Sequence, residues 1–156
     1  MAKMYAIVRL RGHAGQRYNI LHTLKLLRLH KPNHMVVYEG TESMDGMLYK
    51  IRDQVTWGEI NEETLEYVFR KRGELQGKNV LNDDYLKDHT QFKDVSEFTK
   101  AFMAGEVKYK DLPDLQPVFR LSPPRKGFSS LKKSIGNKGD LGYRGEDIND
   151  LVVRMA

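Results

Sequence analysis

Between Ser122 and Gly145 the chain carries six Lys or Arg, five glycines and two prolines against a single acid, Asp140. Written out as Ser122-Pro-Pro-Arg-Lys-Gly-Phe128 and continued by Lys132, Lys133, Lys138 and Arg144, these residue types suit the holding of a phosphate backbone. Proline stiffens a loop, glycine lets the main chain approach a phosphate closely, and the cations neutralise it. Phe128 and Tyr143 add faces for stacking on bases or sugars. Arg125, Lys126, Phe128, Lys132, Lys133, Lys138, Tyr143 and Arg144 are therefore candidate RNA contacts. An irregular stretch this long is uncommon in a compact domain unless it is functional or disordered. A floppy basic linker is the plain alternative, and the apolar helix that follows and must dock argues against it. The segment has too few apolar groups to offset about 1–2 kcal/mol of backbone entropy per fixed residue. Residues 122–140 are accordingly expected to be mobile in the free protein and to order against RNA, with mobility ending near Gly145.

A second set lies near the start. Arg9, Arg11, Arg17, Lys25, Arg28, His30 and Lys31 are read as one cationic face. On a continuous helix Arg17, Lys25 and Arg28 fall within about 80° of one another, at roughly 100° per residue. The formal charge of +5 is unevenly distributed: residues 1–39 are net +6, 40–60 net −2, 61–116 net −3, 117–145 net +6 and the last eleven net −2. Two basic segments flanking an acidic middle are the footprint of a polyanion-binding surface. A membrane-surface role would use one basic amphipathic helix with bulky aromatics opposite, and none stands out.

Other chemistries find little support. Gly136-Asn-Lys-Gly139 matches the GXXG clamp that grips a nucleic-acid backbone, but such a loop joins two helices and neither flank is helical in pattern. His30 and His34 have i, i+4 spacing with His22 near, yet Pro32 interrupts any helix and no carboxylate pair completes a metal site, so contact with RNA or a satisfied surface position is the better reading. The pairs Glu62-Glu63 and Asp83-Asp84 stand at helix starts, where acids are favoured by the helix dipole. There is no cysteine, hence no disulfide, thiolate ligand or thiol nucleophile. No nucleophile-elbow or phosphate-loop spacing occurs. No catalytic residue, cofactor, metal or small-molecule substrate is expected. Arginine enters the short apolar run at the N-terminus, against a signal peptide, and no apolar stretch of about 18 residues is present to span a membrane. A soluble cytoplasmic protein is expected.

The elements that position these residues read as α+β. Tyr5–Arg11 is a strand, with Ala6, Val8 and Leu10 facing the core and Tyr5, Ile7, Arg9 and Arg11 on the other side. Arg17–Leu29 is a helix with the apolar stripe Ile20, Leu24, Leu27, and His34–Tyr38 is a second strand. Thr41 or Ser43 caps a helix through Asp53, and Gln54–Trp57 is a third strand. Asn61, Asn82 and Asp94 start three more helices, Asp94 with Glu97 in a capping box. Val118–Leu121 is a fourth strand, and Glu146–Met155 a closing helix. Residues 1–60 thus form a β-α-β-α-β core, 61–116 a helical extension, and 117–156 a strand, basic loop and helix, all in one compact unit.

At this point the chain resembles a known family. Val8-Arg-Leu-Arg-Gly12, Thr23-Leu-Lys-Leu-Leu-Arg-Leu-His30 and Asn33-His34 look like the large-subunit ribosomal protein called L-thirty in bacteria and archaea and L-seven in eukaryotes. Pro117-Val-Phe-Arg-Leu-Ser-Pro-Pro-Arg125, Leu141-Gly-Tyr-Arg-Gly145 and Ile148-Asn149 resemble the C-terminal part of its archaeal and eukaryotic members. The length fits the archaeal type, with a departure at Phe128-Ser-Ser-Leu-Lys-Lys133. The resemblance implies a mainly antiparallel, ferredoxin-like sheet, binding to large-subunit rRNA in the neighbourhood of 5S rRNA, and contact with neighbouring ribosomal proteins. Two alternatives stay open: an RNA-binding module acting outside the ribosome, and an assembly or interaction protein docking through the acidic middle lobe.

Overall fold

The computed structural model describes residues 3–112 and 114–156. The elements are β1 (Met4–Arg9), α1 (Tyr18–Leu26), β2 (His34–Glu39), α2 (Glu42–Lys50), β3 (Val55–Glu59), α3 (Glu62–Arg72), α4 (Asp83–His89), α5 (Val95–Met103), β4 (Phe119–Arg120), β5 (Gly142–Tyr143) and α6 (Ile148–Met155). The strands form one sheet in the order β4-β2-β1-β3-β5. β1 is antiparallel to β2 and β3, β2 is antiparallel to β4, and only the short β5 runs parallel, to β3. The α+β, mainly antiparallel architecture is the expected one. β5 was not anticipated, because two residues carry no alternation to read.

Helix starts follow local chemistry. Thr41 Oγ1 accepts the Met44 N–H at 3.1 Å, Asn61 Oδ1 that of Thr64 at 2.8 Å, and Asn82 Oδ1 that of Tyr85 at 2.8 Å. Asp94 Oδ1 accepts from Glu97 N at 2.8 Å, while Glu97 Oε2 accepts from Lys93 N, one residue before the expected capping-box donor. Each such cap contributes about 1 kcal/mol by satisfying an N–H that the helix leaves free.

The sheet is buried on both sides, so the face of β1 opposite Ala6, Val8 and Leu10 is core as well. Tyr5 and Ile7 pack with Leu24 and Leu27 beside α1 and with Leu48 and Ile51 beside α2. Ala6, Val8 and Leu10 pack into a second core with Leu65, Val68 and Phe69 of α3, Phe98 of α5, and Ile148 and Leu151 of α6. Phe69 sits at its centre, edge-on to Phe98, Phe102 and Phe119 at 5.3, 5.8 and 5.4 Å. The helices of 61–116 therefore cover a face of the sheet that would otherwise stand in water.

Candidate nucleic-acid interface

The registers bring the two basic segments together. β1 ends at Arg9, opposite the start of β3 at Val55. β2 begins at His34, opposite Arg120 at the end of β4, and β5 begins with Gly142 beside Thr56. One end of the sheet thus receives the chain after β1, before β2, and on both sides of the long segment joining β4 to β5. Asn33 ties these together there: its N–H donates to Arg9 O at 2.7 Å, and its carbonyl accepts from Leu121 N at 3.1 Å. The other end holds acids: Glu39 closes β2, Glu59 closes β3, Glu42 and Asp45 lie in the first turn of α2, and Glu62 and Glu63 in that of α3. The sheet thus gathers the two basic segments at one end and these carboxylates at the other, where Lys3 pairs with Glu59.

Most candidate side chains are open to a ligand. Arg17, Lys25, Arg28, His30 and Lys31 are exposed, and Arg11 half-buried. Arg125, Lys126, Lys132, Lys133 and Lys138 are exposed on the long loop. Arg28, Lys126 and Lys138 have left-handed backbones, at φ 64°, 66° and 62°. For residues with a Cβ this costs about 1 kcal/mol each. Arg28 holds the place glycine usually takes at a helix end: Leu29 N reaches back to Leu24 O at 2.9 Å, so α1 stops and Leu29 turns into the core.

Arg17 is the N-terminal cap of α1 and Arg28 lies past its C-terminal cap, so the expected helical stripe of Arg17, Lys25 and Arg28 is not one. The three remain exposed, but the burial of Leu29 ends the helix before the spacing can align them.

Two candidates are turned inward. Arg9 is 2% exposed; its Nη1 donates to Leu29 O at 2.7 Å and its Nε to Arg11 O at 2.9 Å. Burial lowers its pKa from the ordinary arginine value, and it braces the turn after α1 rather than facing solvent. Arg144 is likewise enclosed, its Nε donating to Thr56 Oγ1 at 2.8 Å and its Nη2 to Asp140 O at 2.8 Å. It pairs with Asp140 at 3.2 Å, with only 7% and 8% of the two side chains exposed.

The aromatic candidates divide. Phe128 is half-buried against the second core, which withdraws much of its ring from stacking. Tyr143 is 51% exposed, its ring 6.2 Å from Trp57. Its hydroxyl donates to the Glu59 carboxylate at 2.6 and 2.8 Å, which with burial pushes its pKa up to about 12 and keeps it a donor. Sequence reasoning missed Arg120, and it read His34 as an RNA contact or a satisfied surface residue in preference to a metal ligand. The inward Phe119 beside it was the signal for an outward Arg120.

The segment from Ser130 onward is more organised than its composition suggests. Ser130 N donates to Asp140 Oδ2 and Asp140 N to Ser130 O, both at 3.0 Å. Ile135 N bonds Leu141 O at 3.0 Å and Gly139 N bonds Ser134 O at 2.8 Å. A Cβ at Gly139 would collide with Lys133 O, so only glycine closes this turn. Residues 135–137 form a single 3-10 turn, not the helix–loop–helix of a GXXG clamp.

The acidic pairs serve structure. Asp83 Oδ1 accepts the Val95 N–H at 3.0 Å and lies 3.7 Å from Arg70. Among the described residues, no group of three or more His, Asp or Glu is placed to hold a metal, and no helix is long and apolar enough to cross a membrane.

Residues 5–55 match the family described as Ribosomal protein L30p/L7e. Over 152 residues, 97% of the chain, it is 46% identical to the large ribosomal subunit protein uL30 of Methanobrevibacter smithii and 49% identical to that of Archaeoglobus fulgidus, covering 99% of each. The Thermoplasma volcanium protein of the same name is 42% identical over 97% of this chain and 92% of its own length. The match therefore runs well past the β-α-β-α-β core, through the helical layer and the basic loop.

Proposed function

The chain belongs to the ribosomal protein L30p/L7e family, and from that premise we propose that it is a structural constituent of the large ribosomal subunit, bound to rRNA in the cytoplasm through the basic end of its sheet. The observation that carries this reading is the convergence of two net +6 segments at one end of the sheet, with acids at the other. Exposed Arg17, Lys25, Arg28, His30 and Lys31, with half-buried Arg11, form one bank of phosphate contacts, and Arg125, Lys126, Lys132, Lys133 and Lys138 the other. Contacts of this kind position a folded RNA and carry no sequence information of their own. Tyr143 adds a stacking face at the margin. Arg9 and Arg144 support the banks from inside.

The surroundings expected of the family, 5S rRNA nearby and other ribosomal proteins as neighbours, belong to the same proposal. The acidic end offers the surface for a basic protein neighbour, since it would repel RNA. A structural role also suits the carboxylates described above, which cap helices and pair with arginines. The test is fractionation of native cells. Co-sedimentation with the large subunit after a high-salt wash is the expected result. A protein found only in the free pool would refute the ribosomal assignment and favour an RNA-binding module acting elsewhere.

A further inference from the structure

Where β2 begins beside β4, the side chains of Arg28, His30, His34 and Arg120 line a cleft of about 220 Å³, closed behind by the 116–118 segment. His34 Nδ1 is buried there with no hydrogen-bond partner among the described residues. A buried imidazole nitrogen normally finds one, because leaving a polar group unpaired is costly. The charges facing His34 are positive from each neighbouring element: Arg120 from β4, Arg9 from β1, and His30 and Lys31 from the turn before β2. The carboxylate that reaches this cluster is Glu74, 3.6 Å from Arg120 Nη1, in a pair whose arginine is still 58% exposed. Cations crowded round a small cleft repel one another unless an anion enters. The arginines exclude a metal ion, and the size suits a tetrahedral oxyanion.

We propose that this cleft binds a phosphodiester group of RNA, with His34 taking up a proton from solvent as the anion enters. The RNA source rests on the rRNA-binding reading above, while the site itself does not. In the free protein, burial and then the positive neighbours hold the His34 pKa below its ordinary value, so the ring is neutral near pH 7. A phosphodiester remains a monoanion through this range, and its charge reverses the penalty. The protonated ring then has both nitrogens as donors, and Nε2, which is not sealed as Nδ1 is, donates to the anion. Linkage fixes the sign: the bound state holds one more proton, so affinity rises as pH falls between the free and bound pKa values, by up to about tenfold per pH unit.

The experiment follows the His34 ring nitrogens of the intact protein by NMR between about pH 5 and 8. Titrations are run at equal ionic strength in chloride, sodium sulfate, dimethyl phosphate and a single-stranded RNA oligonucleotide. Dimethyl phosphate and the oligonucleotide should each raise the His34 pKa by about one unit or more over chloride. Identical titrations in chloride and dimethyl phosphate would overturn the site. A response to sulfate and dimethyl phosphate but not to RNA would make it a site for free oxyanions and overturn the RNA assignment. His34→Asn keeps a nitrogen near the Nδ1 position without titrating, and its RNA affinity should lose the pH dependence seen in the parent. An unchanged dependence would show that another group takes the proton. If His34 does not respond while rRNA binding still falls on neutralising Arg17 and Lys25, which lie outside the cleft, the cleft fails and the rRNA reading stands.

Discussion

Replacing Arg144 with methionine separates the two roles open to this residue, RNA contact and internal clamp. Its guanidinium bonds Thr56 Oγ1 on β3 and both the carbonyl and carboxylate of Asp140, and Thr56 Oγ1 donates in turn to Gly142 O at 2.8 Å. The group thus joins β3, β5 and the end of the basic loop. Methionine keeps most of the apolar stem but leaves the Asp140 carboxylate enclosed without its cation. Removing one partner of a buried pair costs about 3–5 kcal/mol. The lower end applies here, because Asp140 keeps the Ser130 N–H at 3.0 Å as a donor. A loss of about 3 kcal/mol corresponds to a fall in Tm of about 6–12 °C for a domain of this size. Adding Asp140→Asn removes the stranded charge and should recover about 1–2 kcal/mol, which a double-mutant cycle measures. Urea and thermal unfolding can be followed through Trp57, the chain's single tryptophan, which lies against Tyr143. Unchanged stability together with a weaker salt dependence of RNA binding would refute the clamp and return Arg144 to the RNA-contacting set.

Neutralising Arg17, Lys25 and Arg28 together with glutamine should leave the fold intact and lower the log–log salt slope of rRNA binding by about 2–3, at 0.7–0.9 per phosphate contact; an unchanged slope would mean the three are only solvated. Phe69→Ala, at a fully buried position ringed by Phe98, Phe102 and Phe119, should cost about 3–5 kcal/mol and shift a single transition seen alike by far-UV dichroism and Trp57 fluorescence. Separate transitions would show that the helical layer is an independent unit. In the free protein, backbone order parameters should fall below about 0.6 around Lys126–Ser129 and stay near 0.85 from Ser134 to Tyr143. Uniformly low values across 122–140 would restore the mobile loop that composition alone suggests and count against the bonded turn around Gly139.

The sequence by itself determined what depends on near neighbours. The helix starts at Asn61, Asn82 and Asp94 were legible because a capping side chain bonds an N–H two or three residues away, and the start at Thr41 was one of two offered, with Ser43 the other. Family membership was legible too, since the motifs at the two ends of the chain are read directly as residues. The amount of basic charge and its confinement to two segments needed no structure either. Which cations face outward did. Arg9 and Arg11 lie on the same side of one strand and look equivalent, but α1 and α2 cover that side, and the turn into Leu29 encloses Arg9 while leaving Arg11 at the margin. Arg144 reads as one more cation of a basic loop until β5 pairs with β3 and brings Thr56 against it. The end of α1 was misjudged because a helical repeat continues on paper for as long as leucines recur, whereas burial of Leu29 forces Arg28 into the left-handed turn. The meeting of the two basic segments at one end of the sheet depends on strand order and direction, set by contacts between residues distant in the chain. Charge belongs to the residue and can be counted from the sequence; its exposure belongs to the packing, because the cost of burying a cation depends on which partners the fold brings to it.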